Sequence, residues 1–173
     1  MRHASRPMAV CGVLAALSVV LMALGSAFGV LVYACPMLIG AVALFLRQEY
    51  GVRYALAFWG AVGLLALLLV PDLEMSTLFL GLFGWYSAVK PALDRRLRTV
   101  RWLAKAALFN GAVLLIYSAL LLVLGLDSLE LGGRLENGLL LLMGNLLFLL
   151  YDHALGRLSV TLFPRLSRLL HGA

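Results

Sequence analysis

The chain has 173 residues, of which 64% are hydrophobic and 13% are charged, and its formal net charge is +6. A soluble domain carries about 45–50% apolar and about 25% charged residues, so this composition excludes a soluble globular fold. The positive charges lie in loops between apolar runs, which favours contact with lipid headgroups over a nucleic-acid partner. We expect one integral membrane domain, residues 1–173, in contact with the lipid bilayer.

The first apolar stretch, residues 8–46, contains no charged residue. A single membrane helix needs roughly 20 residues, so this stretch is long enough for two. Gly25, Ser26 and Gly29 lie near its middle and indicate a tight turn there. The sequence therefore predicts helices over 8–24 and 30–46, with Pro36 kinking the second one.

Four further apolar segments follow, separated by polar or proline-containing breaks. Pro71 and Asp72 end the third helix, and Pro91 stops a short fourth one. The last helix continues into an amphipathic cytoplasmic tail, residues 157–173, which bends at Pro164. The predicted fold is an all-α membrane protein, a bundle of about six transmembrane helices, with the later helices at 54–70, 75–89, 102–124 and 137–156.

Charge placement predicts an orientation with both termini in the cytoplasm. With six crossings, the outer loops hold one of the 14 lysines and arginines, Arg134, and five of the eight acidic residues. Cytoplasmic loops are enriched in lysine and arginine, which matches this arrangement. We expect a multi-pass protein of the bacterial cytoplasmic (inner) membrane. One alternative stays open: residues 1–27 also resemble a cleaved signal peptide, which would leave five helices with the N-terminus outside.

Motifs of catalysis and of metal binding are missing from the sequence. It contains no GxSxG, HExxH or Walker A pattern, and its histidines and cysteines are not clustered. Asp152 and His153 are adjacent, so on a helix their side chains point in different directions. We expect no enzymatic activity, no metal and no cofactor.

Polar residues within the apolar segments are candidates for helix contacts or for a ligand pocket. Asn145 and Tyr117 have similar predicted depths, as have Asn110 and Asp152, so these two pairs are expected to be in contact. Glu74 lies near the outer mouth, where its carboxylate is either solvated or binds a cationic ligand group.

Aromatic and basic residues mark the membrane boundary. Trp59, Trp85, Tyr86 and Trp102 are expected in the aromatic belts. The basic segment 90–105 is either a solvated, lipid-facing loop or a docking site for a cytoplasmic partner, and the arginines proposed for docking are Arg95, Arg96 and Arg98.

The first helix contains Gly12-Val13-Leu14-Ala15-Ala16-Leu17-Ser18. With six helices and this length, the chain resembles the S components, the substrate-binding subunits of energy-coupling factor vitamin transporters. The resemblance implies that Gly12 and Ala16 face a transmembrane coupling protein driven by two ATPases. It also implies an outward-opening pocket that includes Glu74, Tyr117 and Asn145.

Two functions follow as hypotheses. The leading one is a non-catalytic, substrate-capturing subunit of a transporter that takes up small, vitamin-like molecules. The alternative is a structural or assembly protein without a small ligand, because the chain also resembles the membrane scaffold of bacterial cell-wall elongation. A polar cavity open to the outside would favour the first, and a lateral or cytoplasmic docking face the second.

Overall fold

The computed structural model describes residues 5–29, 31–95, 97–124 and 134–171, and the regular elements in these ranges are helical. The elements are α1 (Ser5–Phe28), α2 (Ala34–Tyr50), α3 (Val52–Leu69), α4 (Leu73–Leu78), a π-helical segment (Phe79–Phe83), α5 (Gly84–Leu93), α6 (Arg98–Leu124), α7 (Arg134–Thr161) and α8 (Phe163–His171).

The first apolar run forms two helices, as predicted, but the turn lies later than residue 25. Gly25 is still helical, and Gly29 has a φ of 65°, a left-handed conformation that suits glycine. Pro36 lies in the first turn of α2. A proline is tolerated there, because the N–H group that it lacks would have no carbonyl partner within the helix, so Pro36 does not interrupt the middle of α2.

The predicted short helix 75–89 corresponds to α4, the π-helical segment and α5. Together they form a continuous helical segment, Leu73–Leu93, that starts earlier and ends later than predicted, and we call it the α4–α5 limb. Asp72 caps its start, because its side chain accepts a hydrogen bond of 3.1 Å from the backbone N–H of Met75. Pro91 lies inside α5 and does not stop it at residue 89. A proline removes only one backbone donor, and here the helix continues for two more residues.

The π-helical segment interrupts this limb where α3 packs against it. The indole Nε1 of Trp59 donates a hydrogen bond of 3.0 Å to the carbonyl oxygen of Leu80, inside the segment. The indole Nε1 of Trp85 donates to the carbonyl oxygen of Gly81 at 2.6 Å. Both side chains were predicted to be belt anchors, and here their polar atoms bond to the segment.

Four helical stretches in the described ranges are long and apolar enough to cross a membrane, namely Arg6–Phe28, Val52–Leu69, Thr99–Ala119 and Gly138–Arg168. Their outward faces carry large apolar side chains, and Leu68 and Leu122 are 81% and 85% exposed. Water would disfavour such a surface, whereas lipid does not. The chain is therefore an all-α membrane bundle.

Two apolar cores lie side by side inside the bundle. The first joins α1, α2, α3 and α4 around Met22, Ile39, Val62 and Met75. The second joins α2, the α4–α5 limb, α6, α7 and α8 around Leu82, Tyr86 and Phe148. Helix α2 contributes to both cores and so links the two halves of the bundle.

Contacts between helices define the two ends of the bundle. At one end Glu74, at the start of α4, contacts Tyr33, which precedes α2, and we call this the Glu74 end. At the other end, the end of α5 meets the beginning of α6 and the C-terminal part of α7, and we call this the Lys90 end. Helix α8 packs at the Lys90 end, where the rings of Phe163 and Phe45 meet edge to face at 5.4 Å.

The sixth predicted helix, 137–156, corresponds to α7, which is longer than predicted. Helix α7 runs to Thr161 rather than to residue 156, so part of the predicted tail belongs to it. Helix α8 keeps the predicted amphipathic pattern, with Phe163 buried and Arg165 and Arg168 exposed. A helix with one apolar face and one basic face is typical of a membrane interface.

Candidate functional site

Four charged residues meet at the Lys90 end, and we call them the ion cluster. They are Lys90 on α5, Asp94 just after α5, Lys105 on α6 and Asp152 on α7. Both lysines and Asp152 are buried, with exposures of 5%, 3% and 7%. Ionisable residues are rare within membrane helices and frequently mark functional sites, so this cluster is a candidate site.

Each lysine of the ion cluster bridges both carboxylates. Lys105 Nζ lies 2.7 Å from Asp152 Oδ2 and 2.6 Å from Asp94 Oδ1. Lys90 Nζ lies 3.2 Å from Asp94 Oδ2 and also contacts Asp152 Oδ1. Two cations and two anions thus balance, which limits the large cost of burying charge.

The hydroxyl of Tyr86 completes the surroundings of Asp152. It donates a hydrogen bond of 2.6 Å to Asp152 Oδ1, and Tyr86 is fully buried. Tyr86 was predicted to anchor an aromatic belt, and this prediction is wrong, because its ring packs inside the bundle against Phe148 at 4.8 Å. The ion cluster and Tyr86 together connect α5, α6 and α7 through ion pairs and a hydrogen bond.

Sequence reasoning did not find the ion cluster. The sequence predicts that the basic segment 90–105 is either a solvated loop or a docking site, whereas the structure buries Lys90 and Lys105. Asp152 and His153 were expected to point in different directions, and they do: Asp152 is buried and His153 is exposed. The presence of two lysines and two aspartates at one predicted depth, Lys90, Asp94, Lys105 and Asp152, is the sequence signal that could have indicated the cluster.

A second polar group borders the ion cluster and depends on a glycine. The hydroxyls of Ser87 and Tyr151 lie 3.1 Å apart, and Ser87 also donates to the carbonyl oxygen of Phe83 at 2.9 Å. Gly40 of α2 lies against all three residues. A Cβ atom there would collide with the Tyr151 hydroxyl and would lie 2.8 Å from the Phe83 oxygen.

Tyr33, Glu74 and Tyr117 meet at the opposite end of the bundle, and we call them the Glu74 cluster. The hydroxyl of Tyr33 donates a hydrogen bond of 3.1 Å to Glu74 Oε1, and that of Tyr117 donates to the same oxygen at 3.3 Å. Among the described residues, no hydrogen bond reaches the second oxygen, Oε2. Within the described part of the chain, the carboxylate therefore has one oxygen held by phenols and one without a donor.

Two members of the Glu74 cluster were predicted site residues, and the structure brings them together. Tyr33 was missed, because sequence alone did not show that the turn before α2 returns to the start of α4. Burial, together with the negative charge of Glu74, raises the pKa of Tyr33 to about 12. Tyr33 is therefore a neutral hydrogen-bond donor at physiological pH.

Asn145, the third predicted ligand residue, lies elsewhere. It pairs with Asn110, and each amide donates to the other's carbonyl oxygen, at 3.1 and 3.2 Å. The expected pairs Asn145–Tyr117 and Asn110–Asp152 are wrong. Tyr117 is seven residues beyond Asn110 on α6, which corresponds to about 10 Å along the helix axis. The reciprocal amide pair joins α6 and α7 near their middles.

The predicted partner-contact residues face outward where the structure describes them. Gly12 and Ala16 are exposed on α1, and Gly12 has no neighbour within 4 Å of an added Cβ atom. Arg95 is exposed just after α5. Arg96 lies outside the described residues, and of Arg98 the backbone alone is described, as the first residue of α6.

Metal ligands are not gathered in the described part of the chain. No group of three or more histidine, cysteine, aspartate or glutamate side chains lies together there. Cys11 and Cys35 are free thiols, and Cys35 is buried.

Comparisons with protein-family models, with curated proteins and with solved structures find no match to this chain.

Proposed function

We propose that this protein captures a small organic ligand that carries a cationic group, and that it does so as the membrane subunit of an uptake transporter. The observation that carries the proposal is the arrangement of the Glu74 cluster, in which two phenols hold one oxygen of a half-buried carboxylate. A carboxylate with a free oxygen accepts charge-assisted hydrogen bonds from an ammonium or guanidinium group. The phenol rings add apolar faces that attract a cation.

The proposed orientation places the Glu74 cluster on the outer side of a bacterial cytoplasmic membrane. Arg47, Arg53, Arg95 and Arg101 lie at the Lys90 end with both lysines of the ion cluster. The positive-inside rule therefore favours the cytoplasm for the Lys90 end. A ligand arriving from outside would then meet Glu74 first.

Transport driven by ATP would need a partner that hydrolyses it, because the sequence contains no Walker A pattern. The exposed pair Gly12 and Ala16 supports lateral contact with a transmembrane coupling protein that works with ATPases. Small residues four positions apart let a second helix approach closely.

The direct test is purification of the protein from native membranes in mild detergent, followed by mass spectrometry of the retained small molecules and proteins. We expect a cationic molecule with the wild type and at least tenfold less with Glu74→Gln. Asp72→Asn is the matched control, because it removes a nearby charge and keeps an oxygen that can cap α4. Equal retention by wild type and Glu74→Gln would contradict the proposal.

An assembly protein without a small ligand is the second candidate, and the exposure of Arg95 beside a basic segment favours it. In that case Arg95→Gln would release a copurifying protein, whereas Glu74→Gln would change nothing. The same purification distinguishes the two functions.

A further inference from the structure

Arg47 has an incomplete environment at the Lys90 end. It lies in the last turn of α2, and its Nη1 atom is buried without a hydrogen-bond partner. A buried donor that is left unpaired is costly, more so when it is charged. Most such groups are paired in native proteins, so a hydrogen-bond acceptor beside Arg47 Nη1 would be favourable.

The positive charge of Arg95 makes the position of Arg47 less favourable. Burial, and after it the positive charge of Arg95, lower the pKa of Arg47. Asp94 precedes Arg95, but both its oxygens are held by the lysines of the ion cluster, at 2.6 and 3.2 Å. Glu49 bonds to Ser167 of α8. Asp94 is therefore engaged by the lysines and does not compensate the repulsion between the two arginines.

An anion between the two guanidinium groups would remove both costs. The planar fork of arginine matches phosphate oxygens, and charge-assisted bonds of this kind are strong. Arg47 directly follows the apolar run that ends at Leu46, which is the depth of lipid headgroups. Basic pockets between membrane helices bind anionic headgroups in this way.

We propose that Arg47 and Arg95 form a binding site for the phosphate group of an anionic phospholipid. The inference is independent of the proposed transport function, since the site is at the other end of the bundle from Glu74. A free phosphate has the same chemistry, and the experiment separates the two sources.

The test uses the full chain, purified in detergent, delipidated and titrated with phosphatidylglycerol, phosphatidylcholine or inorganic phosphate. Native mass spectrometry measures the bound fraction, and thermal unfolding measures stabilisation by ligand. We expect phosphatidylglycerol to bind on the order of tenfold more tightly to the wild type than to Arg47→Gln, which is the loss of one charge-assisted contact.

Arg53→Gln is the matched control, because Arg53 is exposed at the same end and carries the same charge. It is expected to change phosphatidylglycerol binding by less than about twofold, as for a screened surface charge. Arg47→Gln also removes the buried Nη1 atom that has no hydrogen-bond partner, so without lipid its unfolding temperature should equal or exceed that of the wild type.

Three results would overturn the proposal. Equal losses in Arg47→Gln and Arg53→Gln would show a general surface-charge effect. Equal binding of phosphatidylglycerol to wild type and Arg47→Gln would show that no site exists at Arg47. Displacement of phosphatidylglycerol by millimolar inorganic phosphate would identify a free anion as the occupant.

Discussion

Lys105 and Asp152 form an ion pair of 2.7 Å between α6 and α7, and the lysine is 3% exposed. Both side chains are buried, so each charge depends on the other and on the second lysine and aspartate of the cluster. Within an apolar bundle this pairing fixes how α6 and α7 meet α5.

Replacing Asp152 by asparagine should strongly destabilise the protein. The change leaves two buried lysines with one carboxylate, and breaking a buried ion pair costs about 3–5 kcal/mol. Thermal or denaturant unfolding in detergent measures the effect. His153→Ala is the control, because the exposed neighbour should change stability by less than about 0.5 kcal/mol. Equal stability of Asp152→Asn and wild type would show that the ion cluster is not formed.

Gly40→Ala should destabilise the contact between α2 and α7. Its Cβ atom would meet the Tyr151 hydroxyl and the Phe83 carbonyl oxygen, and such overpacking costs about 1–3 kcal/mol. Gly60→Ala, where a Cβ atom has nothing within 4 Å, should be neutral or stabilising by up to about 1 kcal/mol. The prediction fails if the two alanine variants unfold at the same temperature.

The asparagine pair predicts a measurable coupling energy. In a double-mutant cycle of Asn110→Leu and Asn145→Leu, the two single variants should together lose more stability than the double variant. The difference should be about 0.6–1.7 kcal/mol, the range for hydrogen bonds between membrane helices. Unfolding free energies of the four proteins give this number, and strictly additive effects would mean that the two amides are not bonded.

The ionisation of Tyr33 should report the state of the Glu74 cluster. Its pKa of about 12 lies above the ordinary value of 10.0, because of burial first and the Glu74 charge second. Glu74→Gln should lower this pKa, while burial keeps it above 10.0. Tyrosinate absorbance, with Tyr33→Phe subtracted, measures the titration, and an unchanged titration in Glu74→Gln would refute the contact.

The same shift predicts a loss of stability in alkaline solution. A phenol with a raised native pKa binds its proton more tightly when folded, so unfolding becomes easier as the pH rises from 10.0 towards 12. Below pH 10.0 the contribution is fully present. The pH-dependent loss should be smaller in Tyr33→Phe than in the wild type, as measured by unfolding between these pH values.

Composition and hydropathy were enough to predict the helical membrane fold. Apolar runs of membrane-spanning length dictate helices, because lipid leaves the backbone no other partner. Helix ends are less predictable: the sequence predicts that Pro91 stops the fourth helix, yet Pro91 lies inside α5. The capping by Asp72 and the left-handed Gly29 depend on local geometry that composition does not specify.

The candidate sites were predicted only in part, because depth along a helix does not specify which face a residue occupies. Glu74 and Tyr117 were correctly assigned to one region, since both lie near the same end of the bundle. Asn145 and Asn110 were given the wrong partners, because α6 and α7 meet with a register that sequence depth did not fix. The ion cluster was not predicted, because it forms only where α5, α6 and α7 meet, and the sequence does not specify that contact.

The orientation of the bundle is tested most directly by the accessibility of single cysteines in intact cells, because the proposed ligand site requires the Glu74 end to face outward. In a background without Cys11 and Cys35, Pro71→Cys marks the Glu74 end and Arg53→Cys marks the Lys90 end; both positions are exposed. We predict that a membrane-impermeant maleimide labels position 71 in intact cells and position 53 only after permeabilisation. Labelling of position 53 in intact cells would show that the Lys90 end faces outward, opposite to the proposed orientation.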